Sequence, residues 1–427
     1  MNAYLGIDVG TYESKGVLVD REGKVLASAA RPHGLIVPRA GWAEHRAEED
    51  WWGDFVWLTR KLIAESSVPA SAIRAVGTSA IGPCVLPVDA DGAPLSNAIL
   101  YGVDTRSAQE IEDLTQAIGA EEIFNRCGNA LTTQSVGPKI LWLKRNRPDV
   151  YARAAKFLNS TSFLVHRLTG RFVVDHYTAA NASPLYLVDE QAWSTALAPD
   201  VTEIDRLPEL AWTTDMAGAV TRRAAETTGL VAGPVIVGTI DAAAEAISVG
   251  VLDVGEMMLM YGSTVFTILV AGERNRDRRL WHAPWLFPGR QACMAGLATS
   301  GTLTHWFVDQ FARDLDPETA MARLAADAAG SPSGANGLVV LPYFSGERTP
   351  IHDPHAKGVV LGLTLAHTRA DVYRAFIEGI AFATNHILET YDASAGAPLD
   401  PRGRRRPAQP AVGAGDLRRL RPHARGP

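Results

Sequence analysis

Apolar and polar positions alternate at the start of the chain, and turn residues break the alternation at regular points. The runs "AYLGIDVG" and "SKGVLVD" predict two strands, with "REGK" turning at Gly23 into a third. "AEEDWWGDFVWLTRKLIAE" places apolar residues at helical spacing. "IRAVGTSA" and "CVLPVD" return to strand character, closed by the turn "DADG". Helices are predicted at "RSAQEIEDLTQAIG" and "GPKILWLKRNRPDVYARAA". "GPVIVGTIDAAAEAISVG" reads as a buried strand, a turn at Thr239 to Asp241, then a helix. The opening pattern then recurs about 250 residues on in "GEMMLMYGSTVFTILVAGE", again strand, tight turn, strand. After it come a helix at "ETAMARLAADAAG", a strand at "GLVVLPYF" and a last helix at "RADVYRAFIEGIAFATNHILETYD". Two halves of this kind predict a bilobed α/β protein with a cleft between the lobes, where ligand sites favour forming.

The turn residues carry the candidate chemistry. In "GIDVGTYESKG", Gly6 and Gly10 let the backbone approach a ligand, and turn amides can cradle phosphate oxygens. Asp8 at a strand end suits Mg²⁺, while Thr11, Ser14 and Lys15 supply donors and a positive charge. The plainer alternative is a hairpin with a surface aspartate. The echo at Tyr261 to Thr264 favours the phosphate reading, because two hairpins can grip one polyphosphate. Asp241 ends a strand and starts a helix, which suits a general base or simply a helix cap. Asp104 and Arg106 in "ILYGVDTRSAQE" suit either contact with a hydroxylated substrate or a local ion pair. The long loop in "LPYFSGERTPIHDPHAKGVVLGL" is dense in Gly, Pro, His and charge, and long ordered loops are usually functional.

Composition narrows the partners. The 427 residues are 47% hydrophobic and 21% charged, with a net charge of -6, which favours neither nucleic acid nor membrane as a partner. Cys84, Cys127 and Cys293 lie far apart, as in a protein of the reducing cytosol, and suggest no metal cluster. No signal peptide or bilayer-spanning run is expected. Gly396 to Pro427 holds eight Arg, two Asp and six Pro with few branched or aromatic residues, so 396–427 is expected to be a disordered tail.

Together these motifs resemble the FGGY family of carbohydrate kinases, within the actin/hexokinase-like (ribonuclease H-like) ATPases. The resemblance runs from Tyr4 to about Tyr391 and rests on "GIDVGTYESKG", "GVDTR", "VGTIDAAAEA", "YGSTVF", "AGLATSGTLTHWF" and the segment from "LPYFSGERTP" to "FIEGIAF". It implies a sugar-binding lobe at 1–245, a nucleotide lobe at 246–395, and ATP with Mg²⁺ as cofactors. It makes Asp241 the base that takes a proton from a sugar hydroxyl and Asp8 the Mg²⁺-associated carboxylate. Gly10, Thr11, Ser14 and Lys15 match the first phosphate loop, Gly262, Ser263 and Thr264 the second. Gly301 and His305 match positions near the nucleotide, and Asp104 with Ile81, Gly82 and Pro83 the sugar-facing wall. Within the family the chain is most similar to the xylulokinase branch, which usually carries Met-His where this chain has Gly82-Pro83. The expected substrate is therefore a ketopentose such as D-xylulose, with another ketose, polyol or sugar acid as the alternative. Family members are often dimers, so a homodimer is compatible with the resemblance.

The resemblance also implies a strand, a Gly-rich turn and further helices after Tyr391. The sequence there, "GAPLDPRGRRRPAQPAVGAGDLRRLRPHARGP", has instead the composition of GC-rich DNA read in a shifted frame. The second lobe is thus expected to be incomplete. A truncated remnant that binds sugar without turning over ATP is the competing function.

Overall fold

The computed structural model describes residues 2–395. The tail expected to be disordered lies outside the described residues. The described chain divides into two units, one of residues 2–250 with His282–Gln291, the other of Val251–Trp281 with residues 292–395.

In the first unit, β1 (Ala3–Val9), β2 (Glu13–Asp20) and β3 (Val25–Pro32) form an antiparallel meander. Strand Ile73–Ala80 lies parallel to β1 on its other side, and Pro234–Ile236 and Met216–Ala219 extend the sheet beyond it. A two-residue strand, Thr239–Ile240, also pairs in parallel with Ile73–Ala80, completing seven strands. Alternation along β1 buries Ala3, Leu5, Ile7 and Val9, and along β2 it buries Ser14, Gly16 and Leu18. Helix Gly53–Glu65 covers that face. Gly16 is obligatory there, because a Cβ would sit 2.8 Å from Ile7 Cδ1 and 2.9 Å from Leu62 Cδ1. Trp51, Phe55, Leu58 and Leu62 are all buried against the sheet, each stabilising the fold by about 1.5–3 kcal/mol.

Three predicted elements differ in detail. The first helix begins with a turn of π-helix, Ala47–Trp52, before the α-helix takes over. Arg46 explains the widened start, since its amide and guanidinium both reach the buried Asp50 carboxylate. The helix expected from Gly137 to Ala155 is two helices, Val136–Asn146 and Pro148–Arg153, because Pro148 disfavours helical backbone at Arg147. The strand before Asp241 is interrupted at Gly238, whose φ of +72° and close approach to Thr78 O, 2.2 Å from a would-be Cβ, admit only glycine.

In the second unit, Met257–Tyr261 and Val265–Ala271 form the antiparallel hairpin that echoes β1 and β2. Each hairpin has a three-residue loop, Gly10–Tyr12 in the first and Gly262–Thr264 in the second. Helices Gly301–Phe311, Ala320–Ala329 and Arg369–Ala395 share a core of Phe307, Leu324, Tyr373 and Phe376. Tyr391 ties the last helix to the sheet, bonding Thr267 Oγ1 at 2.8 Å and donating to Cys293 O at 3.2 Å. Val339–Leu341 and Val359–Leu361 pair on either side of the long polar loop.

Candidate active site

Strand register gathers the carboxylates of the first unit. Asp8 is the register partner of Ser79, and Ser79 is the register partner of Thr239. Two residues past Thr239, Asp241 opens helix Asp241–Ser248. Asp8 and Asp241 therefore both lie at carboxyl ends of parallel strands, where open α/β sheets bind ligands. Ser79 Oγ donates to Asp8 Oδ1 at 2.6 Å. Asp241 does not cap its helix from the N-cap position, which Ile240 occupies; its Oδ1 accepts the Ala242 amide at 2.7 Å. Burial pushes the Asp241 carboxyl up to about 7, with the negative charges of Asp8 and Glu245 adding to the rise and the Ala242 amide opposing it. A carboxyl poised there can take a proton near neutral pH.

The end of the strand that carries Asp241 is pinned from behind. Thr239 Oγ1 donates to Asp175 Oδ2 at 2.8 Å, Thr213 Oγ1 donates to the same oxygen at 3.1 Å, and Thr161 Oγ1 donates to Thr239 O at 2.8 Å. Burial raises the Asp175 carboxyl to about 6 against the pull of Thr178, Thr239 and Thr213. Sequence reading passed over Asp175, which belongs to no motif it singled out.

The first loop combines open and closed elements. Gly10 N donates to Glu13 O at 3.0 Å, and a Cβ on Gly10 would lie 2.7 Å from that oxygen. Thr11 Oγ1 bonds the Tyr101 hydroxyl at 3.0 Å, and burial raises the Tyr101 phenol, with the Asp241 charge adding to the rise. Tyr101 was also missed by sequence reading, although it sits in the same segment as Asp104. Lys15 is exposed beside Glu13, at 3.7 Å, and its charge reaches Glu245.

Two expected site residues lie elsewhere. Ser14 is fully buried and donates to Asp54 Oδ2 at 2.8 Å, because alternation along β2 turns it toward the helix rather than to the open side of the loop. Asp104 is fully buried as well. Its oxygens accept Arg106 Nη2 at 2.7 Å and the Ala43 amide at 2.7 Å, and Arg106 also meets Glu44 at 2.9 Å and lies 3.9 Å over the Trp42 ring. Of the two alternatives the sequence left for it, the local ion pair with Arg106 is the one present. Ile81 extends the sheet through its amide to Val9 O at 2.8 Å, and the cis Gly82–Pro83 bond follows. Gly82 admits no side chain, since a Cβ would lie 2.2 Å from Ile240 Cγ2. The wall and the residue before Asp241 are thus in direct contact.

In the second unit, loop Gly262–Thr264 is held by the start of helix Gly301–Phe311. Ser263 O accepts the Ser300 amide at 3.0 Å and the Thr302 hydroxyl at 3.0 Å, while Gly262 O accepts the Gly301 amide at 2.9 Å. A Cβ on Gly301 would lie 2.6 Å from Gly262 O, so this contact requires glycine. Gly262 and Ser263 remain exposed, as does His305 one turn into the helix. Glu347 of the "SGERTP" segment is buried, accepting Ala298 N at 3.0 Å and Arg348 N at 2.6 Å, and burial raises its carboxyl. Among the described residues no group of three or more metal-binding side chains gathers, and no helix is long and apolar enough to cross a membrane.

The comparisons with known proteins bear on the family and the fold. Residues 3–248 match the model of the FGGY family of carbohydrate kinases, N-terminal domain, and residues 257–401 match that family's C-terminal domain. The chain is 28% identical over 393 residues to a xylulose kinase of Bacillus subtilis, covering 92% of this chain and 78% of the relative. It is 30% identical over 413 residues to a glycerol kinase of Nocardia farcinica, covering 91% and 78%. The solved xylulose kinase of Rhodospirillum rubrum superposes with a TM-score of 0.86 at 31% identity, covering 93% of this chain and 80% of that one. With both domain models matched and two lobes of the actin/hexokinase-like type, the chain belongs to the FGGY family of carbohydrate kinases, enzymes that transfer phosphate from ATP to an alcohol group.

Proposed function

We propose that the chain phosphorylates a hydroxyl of a ketopentose, D-xylulose, from MgATP, with Asp241 as the general base. The observation that carries this reading is the register that sets Asp8, Ser79 and Thr239 side by side and brings Asp241 out at the same end of the sheet, its carboxyl raised to about 7. Asp241 accepts the hydroxyl proton as the sugar oxygen attacks the terminal phosphorus in line. The new P–O bond forms as the bond to ADP breaks, and the bonding pair leaves on the ADP oxygen. Thr11 and Lys15 on the first loop are the groups proposed to hold the polyphosphate.

Asp8 suits Mg²⁺ by its chemistry, a hard carboxylate whose Oδ1 is fixed by Ser79 and whose Oδ2 meets no other group among the described residues. The ion would neutralise charge on the phosphate oxygens. Asp104 acts through Arg106 and Ala43 to hold the sugar wall in place rather than by touching sugar, and Ser14 through Asp54. The 30% identity to a glycerol kinase favours a second reading, a polyol such as glycerol.

The test is ADP release with ketopentoses, glycerol and sugar acids, with Asp241→Asn as control. Turnover of D-xylulose that vanishes in the control supports the reading. Turnover of glycerol alone supports the second. Sugar binding without ATP turnover in the full chain overturns both.

A further inference from the structure

Beneath the first phosphate loop lie two histidines that none of the assigned roles uses, His45 buried and His33 half-buried with its side chain 5% exposed. His33 follows β3, and His45 ends the short strand Glu44–His45. Their rings meet edge to face with centroids 5.1 Å apart. His33 Nε2 is 3.0 Å from Gly10 O, and His45 Nε2 is 3.1 Å from Thr11 O. The His33 backbone amide donates to Tyr12 O at 2.9 Å. Three consecutive carbonyls of the loop, at 10, 11 and 12, are therefore all turned toward the two histidines. The amides of Thr11 and Tyr12 donate to no group among the described residues.

The partners fix the protonation of each ring. His33 Nδ1 faces the Asp54 carboxylate at 2.8 Å and its Nε2 faces a carbonyl, and both of these only accept. His33 must donate from both nitrogens and is an imidazolium. His45 Nδ1 receives the Trp51 indole N–H at 3.1 Å, and an indole only donates. His45 is therefore neutral, with its proton on Nε2. Burial alone would lower the His33 pKa, but the Asp54 hydrogen bond and charge, the Gly10 carbonyl and Asp50 outweigh it and raise the value. Burial and the neighbouring His33 charge lower His45 to about 4.

The groups around His33 come from four elements. Asp54 and Asp50 belong to the first helix, Ser14 Oγ approaches at 3.4 Å from β2, Arg31 of β3 holds the other Asp54 oxygen at 3.2 Å, and His45 stands opposite. Arg46 pairs with Asp50 at 2.7 Å. Glu49 of the first helix also faces Arg46, so three carboxylates stand against the three cations His33, Arg31 and Arg46.

We propose that His33 and His45 are positioning residues of the polyphosphate site, which hold the Gly10 and Thr11 carbonyls inward and polarise those peptides so that the Thr11 and Tyr12 amides meet phosphate oxygens. This rests on the reading of residues 10–12 as the phosphate loop. A hydrogen bond at a peptide carbonyl strengthens the same peptide's N–H as a donor. The Gly10 carbonyl shares its peptide with the Thr11 amide, and the Thr11 carbonyl with the Tyr12 amide. The arrangement also gives Ser14 its place: it orients Asp54, which orients His33.

The test uses the full chain labelled with ¹⁵N, and inorganic triphosphate as the probe. At pH 7 both His33 nitrogens are expected to be protonated, and His45 to carry its proton on Nε2 alone. Triphosphate is expected to shift the Thr11 and Tyr12 amides. His33→Leu should weaken triphosphate about tenfold with sugar affinity unchanged, and His33→Gln, which keeps one donor, should recover part of the loss. In the native chain, affinity should fall as pH rises and His33 titrates, although triphosphate itself gains charge. This arm holds even where a variant fails to fold. A folded His33→Leu that binds triphosphate within twofold of native overturns the proposal alone, as does a His33 nitrogen bare at pH 7. Triphosphate binding that leaves the Thr11 and Tyr12 amides unmoved overturns the phosphate-loop reading and the proposal with it.

Discussion

Ser79 and Asp8 are register partners on parallel strands, and the Ser79 hydroxyl donates to Asp8 Oδ1 at 2.6 Å. The bond occupies one Asp8 oxygen and leaves the other without a hydrogen bond among the described residues. Ser79→Ala frees the carboxylate to rotate. The expected result is a fall in kcat/KM of about tenfold, the loss of one hydrogen bond to a charged group. The magnesium concentration for half-maximal rate should rise with it. Steady-state kinetics across a magnesium series checks this, and an unchanged magnesium requirement would show that Ser79 does not orient a metal ligand.

Asp241 predicts the pH profile. Its carboxyl is raised to about 7, so the base form fills only as pH rises through neutrality. The sugar kcat/KM should climb with pH along an acid limb near 7. Glu245 adds to the rise through its like charge, so Glu245→Gln should move the limb to lower pH. The stability consequence has the opposite sense. A folded pKa above the unfolded one gives stability that is complete below about pH 4 and lost as pH rises through about 7. Asp241→Asn should therefore be inactive yet more stable than native at pH 8, by roughly 1–3 kcal/mol, as read by denaturant titration.

Gly82 tests the seam between the wall and the base. Alanine there would put its Cβ 2.2 Å from Ile240 Cγ2. Overpacking of this kind costs about 1–3 kcal/mol, and the strain falls on the residue that precedes Asp241. Gly82→Ala should lower both the melting midpoint and kcat. Trimming the neighbour in a Gly82→Ala, Ile240→Ala double variant should recover more activity than either single change predicts, a coupling that a double-mutant cycle measures.

Asp104 distinguishes support from sugar contact. Its carboxylate is buried against Arg106, which is itself 3% exposed between Glu44 and Trp42. Asp104→Asn leaves that guanidinium short of a partner and should destabilise the protein by about 3–5 kcal/mol. At a temperature where the variant is still folded, the sugar KM should change by less than threefold. A large KM effect with stability intact would return Asp104 to the sugar-facing wall.

Much of the scaffold was legible because its signals are local. Period-two alternation and Gly-Thr or Gly-Ser turns marked both hairpins, and the strand-to-helix junction exposed Asp241. Ser14 shows where local reading ends. Its place in β2 says that it shares a face with Gly16 and Leu18, but its partner Asp54 lies forty positions away. Asp104 was left between a sugar contact and a local ion pair for the same reason, since the Ala43 amide and Trp42 that enclose the pair with Arg106 come from a separate loop. The π-helical start at Ala47 depends on Arg46 folding back onto Asp50, which no periodicity encodes. His33 and His45 belong to no motif at all; only the return of β3 and the Glu44–His45 strand to the loop brings them under Gly10 and Thr11.

The segment His282–Gln291 belongs to the first unit although most of the chain just before and after it belongs to the second. Asn129 holds it as a neighbouring strand would, with Nδ2 donating to His282 O at 2.7 Å and Oδ1 accepting His282 N at 2.8 Å. The first unit is thus built from two separate stretches of chain, and Asn129 finds this partner only once the chain as far as Gln291 has been made.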